Sequence, residues 1–392
     1  MNPKSITAEK HSAAAVRRPV PLLDLRRQYS QIRREVLATI EAVCDSQHYV
    51  LGEAVSDFEQ AAARFLGAAF CVGCSSGTDA LWLALSAAGV GAGDEVITTP
   101  FSFFATASAI TRAGARPVFA DIDPDTFNLE PTSVRDLIKS RVRLKAILPV
   151  HLYGQCADMD SFSRIGKQYK VTIIEDAAQA FGASWRGRRA GALGEIACFS
   201  FYPTKNLSAF GDAGAVTTDN EEIAARVRLL RVHGGLKRYY HDEIGWNCRL
   251  DSLQAAVLSV KLKHIEQWNR QRQRHAETYS GLFESAGLTG SDGPIRLPKT
   301  VPEASHIYHQ YVIRALRRDE LRNFLAERSI GSAVFYPVPL HRQKCFDYLG
   351  YGEGSLPAAE AAAREVLALP IFAELEEDEL RTVVEAITEF YS

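Results

Sequence analysis

Between about residue 50 and residue 220, short apolar runs alternate with amphipathic stretches, and few folds accommodate that rhythm. "DALWLALSAAG" has helical spacing, "EVITT" reads as a strand, "FFATASAITRAG" as a helix and "RPVFADI" as a strand. "LKAILPVHLYG", "VTIIEDAAQ", "IACFSFY" and "GAVTT" add four more strands, several running into polar ends. Strand–helix alternation of this kind predicts an α/β domain with a mostly parallel central sheet and helices on both faces. In such sheets ligands sit beyond the strand carboxyl ends, so the polar ends are where chemistry is sought.

After residue 250 the rhythm changes. "DSLQAAVLSVKLKHIEQWNRQRQRHAETYSGLF" keeps helical spacing over about eight turns. A "GLTGSDGPI" loop, a strand in "HQYVIRAL" and helices in "RDELRNFLAERS" and "AAEAAAREVLAL" follow. The expected organisation is a loose leader over residues 1–19, a large α/β domain over 20–250 and a smaller α+β domain over 251–392. A helix within 20–48 is expected to pack on the small domain.

Bulk properties exclude several classes. A net charge of −2 over 392 residues leaves no broad footprint for nucleic acid. Seven cysteines in so long a chain suit a reducing compartment better than a disulfide framework, so the expected address is the cytoplasm. No apolar run approaches the roughly 20 residues that span a bilayer, and "AAAV" is too short for a signal core. Arg17-Arg18 reads as charge on the leader. "GVGAGDE" precedes a strand rather than following one, which disqualifies it as a dinucleotide loop. "CVGC" lacks a second pair at zinc spacing, and "DIDPDT" has Thr126 where a calcium loop needs glycine. No metal is expected. His306 and His309 read as polar residues near a strand start.

Four stretches carry chemistry when taken in order. "CVGCSSGTDALWLAL" sets Gly77 and Thr78 at a helix start, where free backbone N–H groups bind anions. "TTPFSFFATA" places aromatic rings at a strand end. "VTIIEDAAQAFGA" drives a strand into Glu175 and Asp176. "CFSFYPTKNLSAFGDAG" supplies Ser200 and Lys205 beside glycine turns. Taken alone, Lys205 is best read as a solvated loop lysine. Together, a phosphate cradle, a stacking ring, a buried carboxylate and a lysine match pyridoxal 5'-phosphate (PLP).

The same residues, with "YVLGEAVSDFEQ", "PVHLYGQCADMD", "GWNCRLDSLQAAVL" and "FYPVPLH", resemble the DegT/DnrJ/EryC1/StrS family of sugar aminotransferases. The resemblance runs from "VPLLDLRRQY" to "LALPIFAEL" and implies the type I fold of PLP-dependent transferases. It implies that Lys205 forms the Schiff base with the cofactor and that Asp176 pairs the ring nitrogen. It places Gln179 beside the ring hydroxyl and Phe103 on the ring face, with Phe101 and Phe104 as neighbouring registers. Gly77, Thr78 and Ser200 would hold the phosphate. Asn247 would reach the phosphate of a neighbouring subunit, which implies a homodimer with shared sites. Arg249, Tyr311, Tyr336 and His341 would contact substrate. The implied activity moves an amino group, with L-glutamate as donor, to a UDP- or dTDP-linked keto sugar. Gln179, where many C4-specific relatives have histidine, leans toward a 3-keto sugar. Two departures stand out: Phe335 replaces a frequent family histidine, and Ala213 replaces a glycine. Dehydratase relatives carry histidine at the lysine position, which Lys205 argues against. A non-catalytic regulator of the same fold remains an alternative.

Overall fold

A seven-stranded sheet forms the centre of the computed structural model, which describes residues 19–392. The expected leader therefore lies, but for Pro19, outside the described residues. The large-sheet strands are β1 (Phe70–Cys74), β2 (Glu95–Thr98), β3 (Arg116–Phe119), β4 (Leu144–Leu148), β5 (Thr172–Asp176), β6 (Ile196–Ser200) and β7 (Gly214–Thr218). Their order is β1-β7-β6-β5-β4-β2-β3. β7 alone runs antiparallel to its neighbours, β1 and β6; the other pairs are parallel.

Successive strand residues face opposite sides, and each side has its own core. Ile173, Ala197, Phe199 and Ala215 pack on one side with Phe58, Phe162 and Trp268. Ile174, Cys198 and Val216 pack on the other with Leu81, Leu83 and Ile110. Cys71 belongs to the first core and Cys74 to the second, so the CxxC pair cannot share a ligand.

The helices are α1 (Leu25–Ser46), α2 (Glu53–Leu66), α3 (Gly77–Ala87), α4 (Ala105–Arg112), α5 (Pro131–Ile138), α6 (Met159–Tyr169), α7 (Glu221–Leu230), α8 (Ser252–Leu262), α9 (Ile265–Ser285), α10 (Arg318–Glu327), α11 (Pro357–Glu365) and α12 (Glu377–Tyr391). The long helical stretch expected after residue 250 is thus two helices, broken at Lys263-His264. Ala255, Val257 and Leu258 of α8 and Ile265 and Trp268 at the start of α9 pack into the large-sheet core, while Tyr279 and Phe283 further along α9 enter the small one. Helical spacing alone cannot show such a change of partner.

A three-stranded antiparallel sheet, β8 (Ile295–Arg296), β9 (Tyr311–Ala315) and β10 (Val366–Leu369), organises the smaller unit. "AREVLAL" turns from helix to strand at Val366, where the expectation was helix throughout. α1 bridges the two parts. Ile32 and Val36 enter the large core, whereas Arg27 bonds Glu379 of α12 through both guanidinium nitrogens at 2.7 and 2.6 Å. Among the described residues no helix is long and apolar enough to cross a membrane.

Candidate active site

A cleft of about 510 Å³ opens beyond the carboxyl ends of β1, β5 and β6, where an open α/β sheet offers its ligand site. Ser76, Gly77 and Thr78 form one wall, Asp176 and Gln179 the floor, and Ser200 and Lys205 the opposite side.

The first wall is a helix start. Ser76 caps α3 by accepting from the Asp79 N–H at 3.1 Å, which leaves earlier N–H groups of the helix free. Gly77 has to be glycine: a Cβ there would lie 2.5 Å from Ser200 Cβ. Gly214 shows the same crowding, since its Cβ would lie 2.4 Å from the Ser76 carbonyl oxygen. Two strand ends and a helix start thus close on one another only where side chains are missing. The concavity is lined by backbone N–H groups and the Thr78 and Ser200 hydroxyls, the donor set a phosphate requires.

The floor separates the two acids of "IIED". Glu175 is fully buried on one face of β5. It accepts from His151 at 2.9 Å and from the Gly191, Leu193 and Gly194 N–H groups at 2.9, 2.8 and 2.7 Å. Burial alone would raise it, but these donors hold its carboxyl below the usual range. It is a structural anchor. Asp176, on the other face, lines the cleft. Its Oδ2 accepts from Thr106 Oγ1 at 2.7 Å and its Oδ1 from the Ala178 N–H at 3.2 Å. Burial raises its carboxyl, and those two donors and the Lys205 charge offset the rise only in part. A carboxylate in this position lacks a full cationic partner.

Lys205 follows β6 in a turn closed by its own N–H donating to the Tyr202 carbonyl at 2.8 Å. Burial pulls its amine down to about 8, and Asp176 opposes that pull. Gln179 is fixed at both ends of its amide: Oε1 accepts from the Tyr153 N–H at 2.7 Å, and Nε2 donates to Tyr336 Oη at 3.1 Å. Phe103 is 59 % exposed and lines the cleft, whereas Phe101 is fully buried and Phe104 packs against Phe346. Of the three registers, Phe103 is the ring the structure presents to a ligand.

Not every residue implied by the resemblance comes to this cleft. Tyr336 does. Tyr311 does not: strand alternation turns it with Ile313 into the small core, its ring 4.9 Å from that of Tyr279 and its hydroxyl on Ser280. His341 is also buried, with Nε2 on Glu360 at 3.1 Å, and it braces α11 rather than facing ligand. Asn247 and Arg249 lie outside the cleft of their own chain. Asn247 is exposed, in a bridge with Val232, and Arg249 is half-buried. Among the cleft residues that the sequence does not mark are Asp212, His309 and Gln310. Asp212 sits in the glycine turn that was read only for its glycines. His309 and Gln310 enter from the smaller unit, and no local motif marks them.

The donor set fits PLP: a backbone cradle for phosphate, a flat ring, an under-compensated carboxylate for a cationic ring nitrogen, and an amine poised near neutrality. Comparison with known proteins agrees. The model of the DegT/DnrJ/EryC1/StrS aminotransferase family matches residues 30–388. A "pleiotropic regulatory protein" of Geobacillus stearothermophilus is 50% identical over 372 residues, covering 95% of this chain and 98% of that one. The dTDP-3-amino-3,4,6-trideoxy-alpha-D-glucose transaminase of Streptomyces venezuelae is 44% identical, covering 95% and 96%. A crystal structure of S. venezuelae DesV superposes with a TM-score of 0.91 at 43% identity, covering 95% of this chain and 98% of that one. With a cleft of this chemistry and matches of this extent, the chain belongs to the DegT/DnrJ/EryC1/StrS aminotransferase family.

Proposed function

We propose that this chain is a PLP-dependent aminotransferase that moves an amino group from L-glutamate to a 3-keto sugar carried on a nucleoside diphosphate, dTDP or UDP. The observation that carries the reading is that Lys205 and Asp176 line one cleft, with the amine already lowered to about 8. A lysine attacks a carbonyl only when neutral, and burial keeps a useful fraction neutral near physiological pH. The cofactor, when bound, supplies an electron sink for removal of the α-proton of the donor.

The protein's own groups do the rest. Asp176 holds a proton on the ring nitrogen, and the charge so formed is the partner this carboxylate lacks. The Lys205 amine, when free, would take the proton from the donor carbon in one half-reaction and give one to the sugar carbon in the other. Phe103 covers a ring face, Gln179 is held ready for the ring hydroxyl, and Gly77, Thr78 and Ser200 receive the phosphate. Tyr336 lines the open side where substrate enters. The 3-keto choice is supported by the 44%-identical relative, which is named for a sugar with its amine at C3.

The homodimer belongs to the same reading. The loop before Asn247 exposes Leu236 at 74 %, Tyr239 at 80 % and Ile244 at 86 %, with Tyr240 and Trp246 nearby. Apolar exposure on this scale marks a contact surface. A second copy covering it would carry Asn247, with Arg249 two residues on, toward the partner's cleft. The cytoplasmic address is supported by seven unpaired cysteines.

The test is a panel of dTDP- and UDP-linked 3- and 4-keto sugars with L-glutamate as donor. Turnover is expected with a 3-keto member, and borohydride is expected to fix the cofactor to Lys205. Turnover confined to 4-keto sugars would overturn the positional reading. A label on another lysine would overturn the site. The name of the 50%-identical relative favours a second reading, a regulator without turnover. That reading requires that L-glutamate leave the bound cofactor unconverted.

A further inference from the structure

Asn206, next to Lys205, is the middle of a buried three-residue relay. Asn269 Nδ2 donates to the Phe181 carbonyl at 3.1 Å, and Asn269 Oδ1 accepts from Asn206 Nδ2 at 2.8 Å. Asn206 Nδ2 also donates to the Ile307 carbonyl at 3.3 Å, and Asn206 Oδ1 lies 3.2 Å from His309 Nδ1. All three side chains are about 95 % buried.

Two backbone carbonyls set the direction of the relay. A carbonyl cannot donate, so the amide ends facing Phe181 and Ile307 are both NH₂ groups. Asn206 therefore presents its oxygen to His309, and His309 Nδ1 has to carry the proton. The ring is also uncharged: burial, then the charges of Lys205 and Arg272 and the nearby His306, push its pKa well below the usual histidine range. A neutral imidazole protonated at Nδ1 has a bare lone pair on Nε2.

That lone pair has no partner among the described residues, nor is it sealed off, because His309 forms part of the cleft wall with Lys205. Arg272 fixes the backbone behind it, donating to the Tyr308, His309 and Ile371 carbonyls at 3.1, 3.4 and 2.8 Å. The imidazole is therefore held at the ring and at the main chain, with one acceptor turned to the site.

We propose that His309 is a positioning residue whose Nε2 accepts a hydrogen bond from the Lys205 amine once the cofactor fills the cleft in its amine form, which leaves Lys205 free beside it. The inference rests on the reading of Lys205 as the reactive amine. Asp176 lines the cleft of that amine from the β5 side and His309 from the smaller unit. Asp212 and the Tyr202 and Tyr336 hydroxyls are the other titratable groups on the cleft wall. An acceptor without charge steadies the ammonium without holding it as tightly as a second carboxylate would.

Two substitutions separate the two ring nitrogens. Asparagine mimics Nδ1 and glutamine mimics Nε2. His309→Asn keeps the bond to Asn206 and removes the acceptor; His309→Gln keeps the acceptor and gives up the relay. The full-length protein is loaded with pyridoxamine phosphate, which leaves Lys205 free. The pH midpoint of Lys205 labelling by an amine-reactive reagent is then read by peptide mass spectrometry. Loss of a bond to the charged form lets the amine fall further. The midpoint in His309→Asn is expected about one pH unit below wild type, a tenfold change in the lysine's protonation constant. His309→Gln is expected to stay within about 0.3 unit. In steady state, His309→Asn should lower kcat about 10- to 100-fold with KM changed less than about threefold. An unmoved midpoint in His309→Asn, or an equal shift in both variants, overturns the role of His309. Borohydride reduction of the wild type with PLP is run first; a label away from Lys205 overturns this inference together with the reading beneath it.

Discussion

Thr106, on α4, donates its hydroxyl to Asp176 Oδ2 at 2.7 Å, so the helix beside β5 orients the acid at the end of that strand. Thr106 is itself bonded to Ser102 at 2.9 Å, and both hydroxyls are buried. The sequence offers no motif for this contact. Thr106→Val keeps the shape and removes the donor. It should lower kcat about tenfold and leave the fold intact, the usual loss for one hydrogen bond to a charged group. Asp176→Asn should cost about 10²- to 10³-fold while cofactor still binds. Parallel kinetics and cofactor titrations check both. An Asn variant within a few-fold of wild type would reduce Asp176 to a structural role.

Gly77→Ala tests the cradle. The added methyl group meets Ser200 Cβ at 2.5 Å, so either the α3 start or the β6 end has to move. Cofactor affinity should fall at least about tenfold, for one misplaced phosphate contact. Adding Ser200→Gly removes the opposing carbon and should restore part of the loss. Equilibrium cofactor binding by the single and double variants reads this directly; equal affinity in wild type and Gly77→Ala would mean the phosphate sits elsewhere.

Lys261 predicts a pH effect on stability. It is buried, donates to Ser208 Oγ at 2.8 Å, and is pulled down to about 8 by burial against the opposing charge of Glu374. An unfolded lysine titrates near 10.4. Below pH 8 the amine is charged in both states, and the folded state bears the full cost of burying it. Between about pH 8 and 10.4 the unfolded state binds more protons, so this group adds stability as pH rises. Lys261→Met should be more stable than wild type at pH 7, by about 1 kcal/mol after the lost Ser208 bond. The gap should narrow, and then reverse, toward pH 10. Urea melts across that range measure it, and a gap independent of pH would contradict the assignment.

Asn247 predicts a shared site. Lys205→Ala and a disabling change at Asn247 are each expected to be inactive. Mixed after subunit exchange, a dimer with one of each carries both lesions in one site and neither in the other. With random exchange about half the dimers are mixed, so about a quarter of sites should recover. No recovery, with exchange demonstrated independently, would confine Asn247 to its own subunit.

The strands of the large sheet and their polar ends were legible because a two-residue period and a helical period are written locally. So were Lys205, Asp176 and Gly77, each beside a strand end that the pattern locates. What was not legible depends on partners distant in the chain. The break at Lys263-His264 falls inside a continuous helical period, and the packing on either side of it is set by residues far away in the chain. The resemblance implies Tyr311 as a substrate contact, yet its parity on β9 sends it inward with Ile313. His309 looked ordinary because its meaning comes from Asn206 and Asn269, 103 residues upstream and on another helix.

The reversed strand β7 has a consequence for how the protein is made. Gly214, at its start, pairs with Cys74 at the end of β1 and with Ser200 at the end of β6. Beyond that strand the phosphate wall at Gly77 closes on Ser200 at the end of the lysine strand, although more than 120 residues separate them along the chain. The two halves of the site are joined only after residue 218 has been made and that strand has slotted between its neighbours. Assembly of the site is a high-contact-order event, slow compared with formation of α2 or α3 alone. PLP added during refolding should therefore trap the completed sheet and raise the yield of native protein without speeding the earliest collapse.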